Sequence, residues 1–143
     1  MTTSGVVDLS TVWLFSECSK AERRSIERRA EPVSVKTGKT IVEEGEVGTV
    51  FYFIVNGRAT VSRHGRKVAE LGPGQYFGEL SLLDRLPRNA SVKAATDMTL
   101  LAIGQHHFNT LLKESPNMTR KLLVATAQRL RGADAKALPA IVY

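Results

Sequence analysis

The sequence predicts a mainly β protein with helices at both ends, built as a small sandwich or barrel. Short runs with strand-like alternation fill the middle of the chain, and glycine-containing turns separate them about every ten residues. Both ends instead carry apolar residues at helical spacing. The chain has 143 residues, of which 43% are hydrophobic and 24% charged, which is enough for one domain with a real core.

The N-terminal part predicts two helices within residues 8–30, which would pack before the β region. An apolar cluster spans Leu9–Phe15 and predicts a short helix that covers the core. Ser19 and Glu22 have the spacing of a capping box, which predicts a second helix from Ser19 to about Ala30. This second helix is mostly polar, so we expect it to lie on the surface.

Residues 32–104 carry the strand signals. The run Val50–Val55 is the most hydrophobic and predicts a buried strand. Asn56-Gly57 predicts a two-residue hairpin and His64-Gly65 a second turn. Gly72-Pro73-Gly74 predicts a type II turn. Gly45 and Gly48 predict a further turn before the strand that begins at Val50. The other predicted strands are Val33–Lys36, Thr40–Glu43, Arg58–Arg63, Lys67–Leu71, Ser91–Ala95 and Met98–Ile103.

Two helices are predicted over residues 106–131, His106–Glu114 and Pro116–Arg131, with Ser115-Pro116 as the junction. The second is expected to end near Gly132, which gives a domain over 8–132 and a tail over 133–143. A final helix this short favours a monomer. Its apolar side is predicted to carry Met118, Leu122, Leu123, Ala127 and Leu130.

Charge and cysteine content exclude several classes of site. The net charge is +6, and much of it lies in the terminal helices, as solvated faces or as a surface for an acidic protein or nucleic acid. No helix-turn-helix pair or zinc-ligand spacing supports nucleic acid. Cys18 is the single cysteine, so a disulfide framework is excluded and a reducing cytoplasm is expected. No apolar run reaches membrane-spanning length, and no signal peptide pattern is present.

The stretch Phe77–Val92 is the part of the chain with a recognisable binding chemistry. Its middle, Glu79–Leu83, predicts a helix of little more than one turn, whose first N–H groups would point at a neighbouring anion. Gly78 lets the backbone approach a ligand closely. Arg88 follows Pro87 on an extended segment and can reach back toward the helix start. These groups predict a site for one phosphate, with Glu79 as an acceptor for a sugar hydroxyl.

The stretch resembles the phosphate-binding cassette of cyclic-nucleotide-binding domains, as found in the bacterial cAMP receptor protein, kinase regulatory subunits and gated channels. The family pattern is Phe-Gly-Glu-Leu-(Ala or Gly)-Leu, a spacer, and Arg-(Ala, Ser or Thr)-Ala. Here it reads Phe77-Gly78-Glu79-Leu80-Ser81-Leu82, then Arg88-Asn89-Ala90, and Asn89 departs from the pattern. The resemblance implies a jelly-roll-like β-roll, a double-stranded β-helix, with N-terminal helices, the cassette helix and two C-terminal helices.

The resemblance also implies roles for individual residues. Glu79 and the Gly78 N–H would hold the ribose 2′-hydroxyl. Arg88, with the backbone N–H groups of Ser81 and Asn89, would hold the cyclic phosphate. Residues expected to line the pocket are Leu80 and Ala90, with Val61, Val68 and Ala69 beside the base. Arg129 matches an arginine that approaches the ligand in the bacterial receptor.

The function implied is a stand-alone regulatory module that binds cAMP, or else cGMP, changes shape and signals to an unidentified effector protein. The alternatives are a fragment of a cAMP-receptor-type transcription factor, channel or kinase subunit, and a ligand-independent interaction module. Too few residues follow Arg131 for a DNA-binding unit, so direct DNA contact is not expected, and no membrane association is expected. No nucleophile–base arrangement supports an enzyme. His106-His107 point apart on a helix, so neither a metal nor another cofactor is expected.

Overall fold

Two antiparallel four-stranded sheets form the centre of the computed structural model, which describes residues 8–135. The first sheet has the strand order β1-β8-β3-β6 and the second β2-β7-β4-β5. The strands are β1 Glu31–Val35, β2 Thr40–Val42, β3 Val50–Asn56, β4 Ala59–Arg63, β5 Arg66–Leu71, β6 Tyr76–Phe77, β7 Ser91–Ala94 and β8 Met98–Gly104. This arrangement confirms the predicted β-roll with flanking helices.

The helices lie before, within and after the sheets. Two 3-10 turns, Leu9–Thr11 and Trp13–Phe15, precede α1, Lys20–Arg29. The capping box that Ser19 and Glu22 predict is present, because each side chain accepts a hydrogen bond from the other residue's backbone N–H. The remaining helices are α2 Glu79–Asp84, α3 Gln105–Glu114 and α4 Pro116–Ala135.

The first sheet is covered on both faces, which explains why its central strand reads as a continuous hydrophobic run. Phe51 and Phe53 of β3 pack toward the helices, together with Phe15 and Phe108. Ile54, on the opposite side of the same strand, packs in the core between the two sheets. Burial of each large side chain contributes about 1.5–3 kcal/mol to folding. The terminal helices are therefore fixed to the outer face of the first sheet.

The predicted hairpin at Asn56-Gly57 is wrong. β3 pairs with β6 and β8, whereas β4 belongs to the second sheet, so this turn carries the chain from one sheet to the other. The Gly57 backbone has a φ of +91°, and a Cβ there would collide with the Asp97 carbonyl oxygen. The glycine is thus required by a crossing rather than by a hairpin.

The two other turn predictions are confirmed. His64 and Gly65 have φ values of +53° and +78°, and Arg63 pairs directly with Arg66, as in a two-residue hairpin between β4 and β5. In the second turn Gly74 has a φ of +88°, and the N–H of Gln75 donates to the carbonyl oxygen of Gly72 at 3.1 Å.

The last helix departs from the sequence expectation in two ways. α4 does not end near Gly132 but continues to Ala135, because one glycine costs only about 1 kcal/mol in a helix interior. The argument for a monomer from a shortened helix therefore no longer applies, and residues 136–143 of the predicted tail lie outside the described residues. In addition, only part of the predicted apolar side faces the core: Met118 and Leu122 are buried, whereas Leu123, Ala127 and Leu130 are exposed.

None of the described helices is long and apolar enough to cross a bilayer.

Candidate functional site

The site is built around the start of α2, where β6 delivers the chain to Gly78. This glycine is the N-terminal cap of α2 and has the left-handed conformation, with φ 95° and ψ −2°. A Cβ at this position would lie 2.8 Å from Arg88 Nη1 and 3.0 Å from the Val50 carbonyl oxygen. Backbone N–H groups in the first turn of a helix have no acceptor within the helix, so they face outward as donors.

A cleft of about 180 Å³ opens beside this helix start. It contains every predicted phosphate and pocket residue of the cassette except Glu79. Its lining is Val42, Phe77, Gly78, Leu80, Ser81, Asp84, Leu86, Pro87, Arg88, Asn89, Ala90 and Val92. The cleft therefore combines hydrogen-bond donors with apolar side chains.

Arg88 is held at the cleft by two backbone carbonyl groups. Its Nη2 donates to the Val50 oxygen at 3.0 Å, and its Nη1 donates to the Gly78 oxygen at 3.4 Å. The Arg88 backbone is fixed as well, because its N–H donates to the Glu46 oxygen at 2.7 Å. Burial lowers the pKa of the guanidinium, with Tyr52 and Glu79 opposing that shift. An arginine keeps its charge in proteins, so a positioned cation stays at the cleft.

Gly48 makes room for this arginine, a role that its sequence pattern did not reveal. A Cβ on Gly48 would overlap the Arg88 guanidinium. The N–H of Gly48 donates to Ser81 Oγ at 2.8 Å, and that hydroxyl donates to the Leu86 oxygen at 2.6 Å. The Ser81 side chain therefore joins the Gly48 loop, α2 and the segment before Arg88.

Glu79 lies under the last helix rather than in the open cleft. Its side chain is 1% exposed, and its Oε1 accepts a hydrogen bond from Arg129 Nη1 at 3.1 Å. Its Oε2 is buried and has no hydrogen-bond partner in the part of the chain that the structure describes. Burial raises the pKa of Glu79 to about 7, although the nearby charges of Arg129 and Arg88 act in the opposite direction.

Arg129 was expected near the base, and the structure places it against Glu79. Its guanidinium also lies 5.1 Å from the centre of the Tyr76 ring, within the range of a cation–π contact. Position 129 is 50 residues from position 79, so no local motif could have indicated this ion pair.

The three other predicted base-pocket residues do not line the cleft. Val61 is buried in the core between the sheets, and Ala69, paired with it across β4 and β5, is half-buried against the same core. Val68 is 36% exposed. The strands that carry these residues follow β7 in the second sheet, and β7 contributes Val92 to the cleft.

Comparisons with known proteins agree on one family. The family model described as "Cyclic nucleotide-binding domain" matches residues 32–115. The chain is 36% identical over 124 residues to a cyclic nucleotide-gated potassium channel of Rhizobium etli, a match that covers 87% of the chain and 35% of the channel. It is also 36% identical over 106 residues to the cAMP-dependent protein kinase regulatory subunit of Yarrowia lipolytica, covering 73% of the chain and 28% of that subunit.

A solved structure gives the same result. The Thermus thermophilus catabolite activator protein superposes with a TM-score of 0.81 at 32% identity, over 87% of this chain and 61% of that one. The chain spans about a third of the length of the channel and of the kinase subunit. On its sequence, its fold and the geometry of its cassette, the chain belongs to the cyclic nucleotide-binding domain family.

Proposed function

We propose that this domain binds a 3′,5′-cyclic nucleotide, cAMP in preference to cGMP, and signals its presence to an effector protein. The observation that carries the proposal is the Arg88 guanidinium, held at the cleft beside the N–H groups of α2. An arginine side chain has five N–H donors. Arg88 donates two of them to the carbonyl oxygens of Val50 and Gly78. The remaining donors, with the backbone N–H groups of Ser81 and Asn89, suit a phosphate.

The proposed partner of Glu79 is the ribose 2′-hydroxyl. One carboxylate oxygen is already occupied by Arg129, whereas Oε2 is buried with no partner among the described residues. A buried acceptor without a partner costs about 1–3 kcal/mol. A hydroxyl that donates to Oε2 would recover part of that cost, which favours a ribonucleotide over a 2′-deoxyribonucleotide.

Selectivity between cAMP and cGMP is assigned to Asn89, which lines the cleft. In the family a threonine at this position often favours cGMP, because its hydroxyl can meet the guanine amino group, whereas alanine accompanies cAMP. Asn89 departs from both: its side-chain carbonyl could accept a hydrogen bond from the guanine amino group, whereas its bulk could instead crowd the pocket. Between the two ligands we favour cAMP. If Asn89→Ala and the wild type have the same ratio of cAMP to cGMP affinity, position 89 does not set selectivity.

Isothermal titration calorimetry tests the binding proposal with four ligands: cAMP, cGMP, 2′-deoxy-cAMP and 5′-AMP, whose phosphate is not closed into a ring. We expect cAMP to bind most tightly, 2′-deoxy-cAMP to bind more weakly and 5′-AMP to bind poorly. In Glu79→Ala the difference between cAMP and its 2′-deoxy analogue should shrink, because the acceptor of the hydroxyl is gone. Absence of heat with all four ligands would leave an interaction module that has the fold without the ligand.

A regulatory unit of a longer protein is the second candidate, because the chain spans only about a third of the channel and kinase relatives. In that case the effector is another part of the same polypeptide. A location in the cytoplasm is proposed for either candidate, on the ground of the single, unpaired Cys18.

A further inference from the structure

One face of α4 is apolar and exposed, although the helix is firmly packed on its other side. Met118 and Leu122 are buried in the core, whereas Leu123 is 68% exposed and Leu130 42% exposed. Ala127 between them is exposed as well. Leu123, Ala127 and Leu130 follow the spacing i, i+4, i+7, so they form one stripe along the helix. We call these three residues the outer stripe.

Two arginines border the outer stripe on the same side. By helical periodicity Arg120 and Arg131 lie next to Leu123 and Ala127, whereas Thr119 and Thr126 lie on the opposite border. Both arginines are exposed. Arg120 approaches Glu17 only at 3.9 Å, and Arg131 has no ion pair with another described residue. An exposed ion pair of that length contributes little, so both charges are available to a partner.

An amphipathic helix of a partner packs its apolar face against apolar side chains that lie next to one another, as those of the outer stripe do. Isolated exposed leucines are common on soluble proteins, but a continuous stripe on one helix marks an interaction surface. From Arg120 to Arg131 the surface is about 16 Å long, which corresponds to three helical turns. Its size suits an interaction of modest affinity.

We propose that the outer stripe docks an amphipathic helix of a partner protein that carries acidic residues beside its apolar face. Charge decides between this occupant and a second copy of the chain. A second copy joined through its own outer stripe would bring a second Arg120 and a second Arg131 to the contact. The net charge of +6 adds repulsion between two copies. A partner with glutamates or aspartates opposite Arg120 and Arg131 meets no such repulsion.

This inference does not depend on nucleotide binding, so its test is run without nucleotide and its outcome is separate from the calorimetry. The probe is a fluorescent helical peptide of about 20 residues with leucines at a/d spacing and glutamates on both borders. The control peptide has the same leucines with every glutamate replaced by lysine. Anisotropy titration should show micromolar binding of the acidic peptide and much weaker binding of the basic one.

Variants of the chain locate the contact. Leu123→Ser should weaken binding of the acidic peptide at least about tenfold, whereas Val68→Ser, at an exposed valine of β5, should not. The double variant Arg120→Glu/Arg131→Glu should exchange the preference, so that the basic peptide binds better. Circular dichroism checks that the substitutions, all at exposed positions, leave the fold intact.

Four results would overturn the proposal. The first is absence of binding by the acidic peptide, and the second is binding that Leu123→Ser leaves unchanged. The third is a dimer in sedimentation velocity that Leu123→Ser dissociates, because the occupant would then be a second copy. Equal binding of both peptides would likewise refute the acidic partner.

Discussion

Arg129 joins the last helix to the first residue of α2, because its Nη1 donates to the buried Oε1 of Glu79 at 3.1 Å. The pair connects the element proposed to hold the ligand with the element that carries the outer stripe. Because Glu79 is almost fully buried, loss of Arg129 would leave the Glu79 carboxyl without this hydrogen-bond partner. A change in the position of either residue therefore alters the hydrogen bonding of the other.

The first prediction concerns Arg88. Arg88→Ala would leave the cyclic phosphate without its counter-charge and should reduce affinity by roughly 2–5 kcal/mol, which is about thirtyfold to several thousandfold. Calorimetry of the folded variant with cAMP measures the loss. Arg66→Ala, at an exposed arginine of β5, is the matched control and should bind as the wild type does. Unchanged affinity in Arg88→Ala would remove the central residue of the proposed site.

The second prediction concerns Gly48, whose role is to leave space. In Gly48→Ala the new methyl group would overlap the Arg88 guanidinium and push it from the Val50 and Gly78 oxygens. We expect weaker cAMP binding, by at least about tenfold, with little change in secondary structure. Gly72→Ala is the control, because a Cβ on Gly72 has no atom within 4 Å. Equal affinity in the two variants would show that Arg88 tolerates displacement.

Sequence patterns predicted the parts of this domain that local chemistry determines. The capping box of α1, the His64-Gly65 hairpin and the cassette helix each depend on residues a few positions apart. Contacts between distant segments were not predictable. The carbonyl that holds Arg88 belongs to Val50, 38 residues away, and the Asn56-Gly57 dipeptide had the composition of a hairpin although its strands belong to different sheets.

The third prediction is a pH dependence of stability caused by Glu79. Its pKa is raised from 4.5 to about 7 in the folded protein, so the folded state holds a proton that the unfolded chain releases. The contribution of Glu79 to the free energy of unfolding is fully present below about pH 4.5 and is lost as the pH rises to about 7. Above about pH 7 this contribution no longer changes with pH. The loss is of the order of 3 kcal/mol.

Urea unfolding at several pH values between 5 and 8 measures this loss. Glu79→Gln, which cannot titrate, should show a smaller decrease in the free energy of unfolding over the same range. His64, His106 and His107 are present in both proteins, so any contribution from them cancels in the comparison. Parallel curves for the two proteins would mean that Glu79 is ionised in the folded domain at all of these pH values.

The fourth prediction is that ligand binding reaches α4 through Arg129. A ligand hydroxyl that binds Glu79 Oε2 changes the charge distribution and position of the carboxylate that Arg129 contacts. Saturating cAMP should therefore alter hydrogen exchange of amides in 118–130 as well as in 78–90. In Arg129→Met the change in 78–90 should persist and the change in 118–130 should disappear. Arg131→Met, two residues further along the same helix, should behave as the wild type does.

The size of this coupling is limited by the difference in ligand affinity between the two positions of the helix, typically about 1–3 kcal/mol. Exchange rates in 118–130 should therefore change by no more than about 150-fold. Exchange changes confined to 78–90 in the wild type would exclude α4 as the output. Changes in α4 that survive in Arg129→Met would instead assign the coupling to the packing of Leu122 and Met118 against the core.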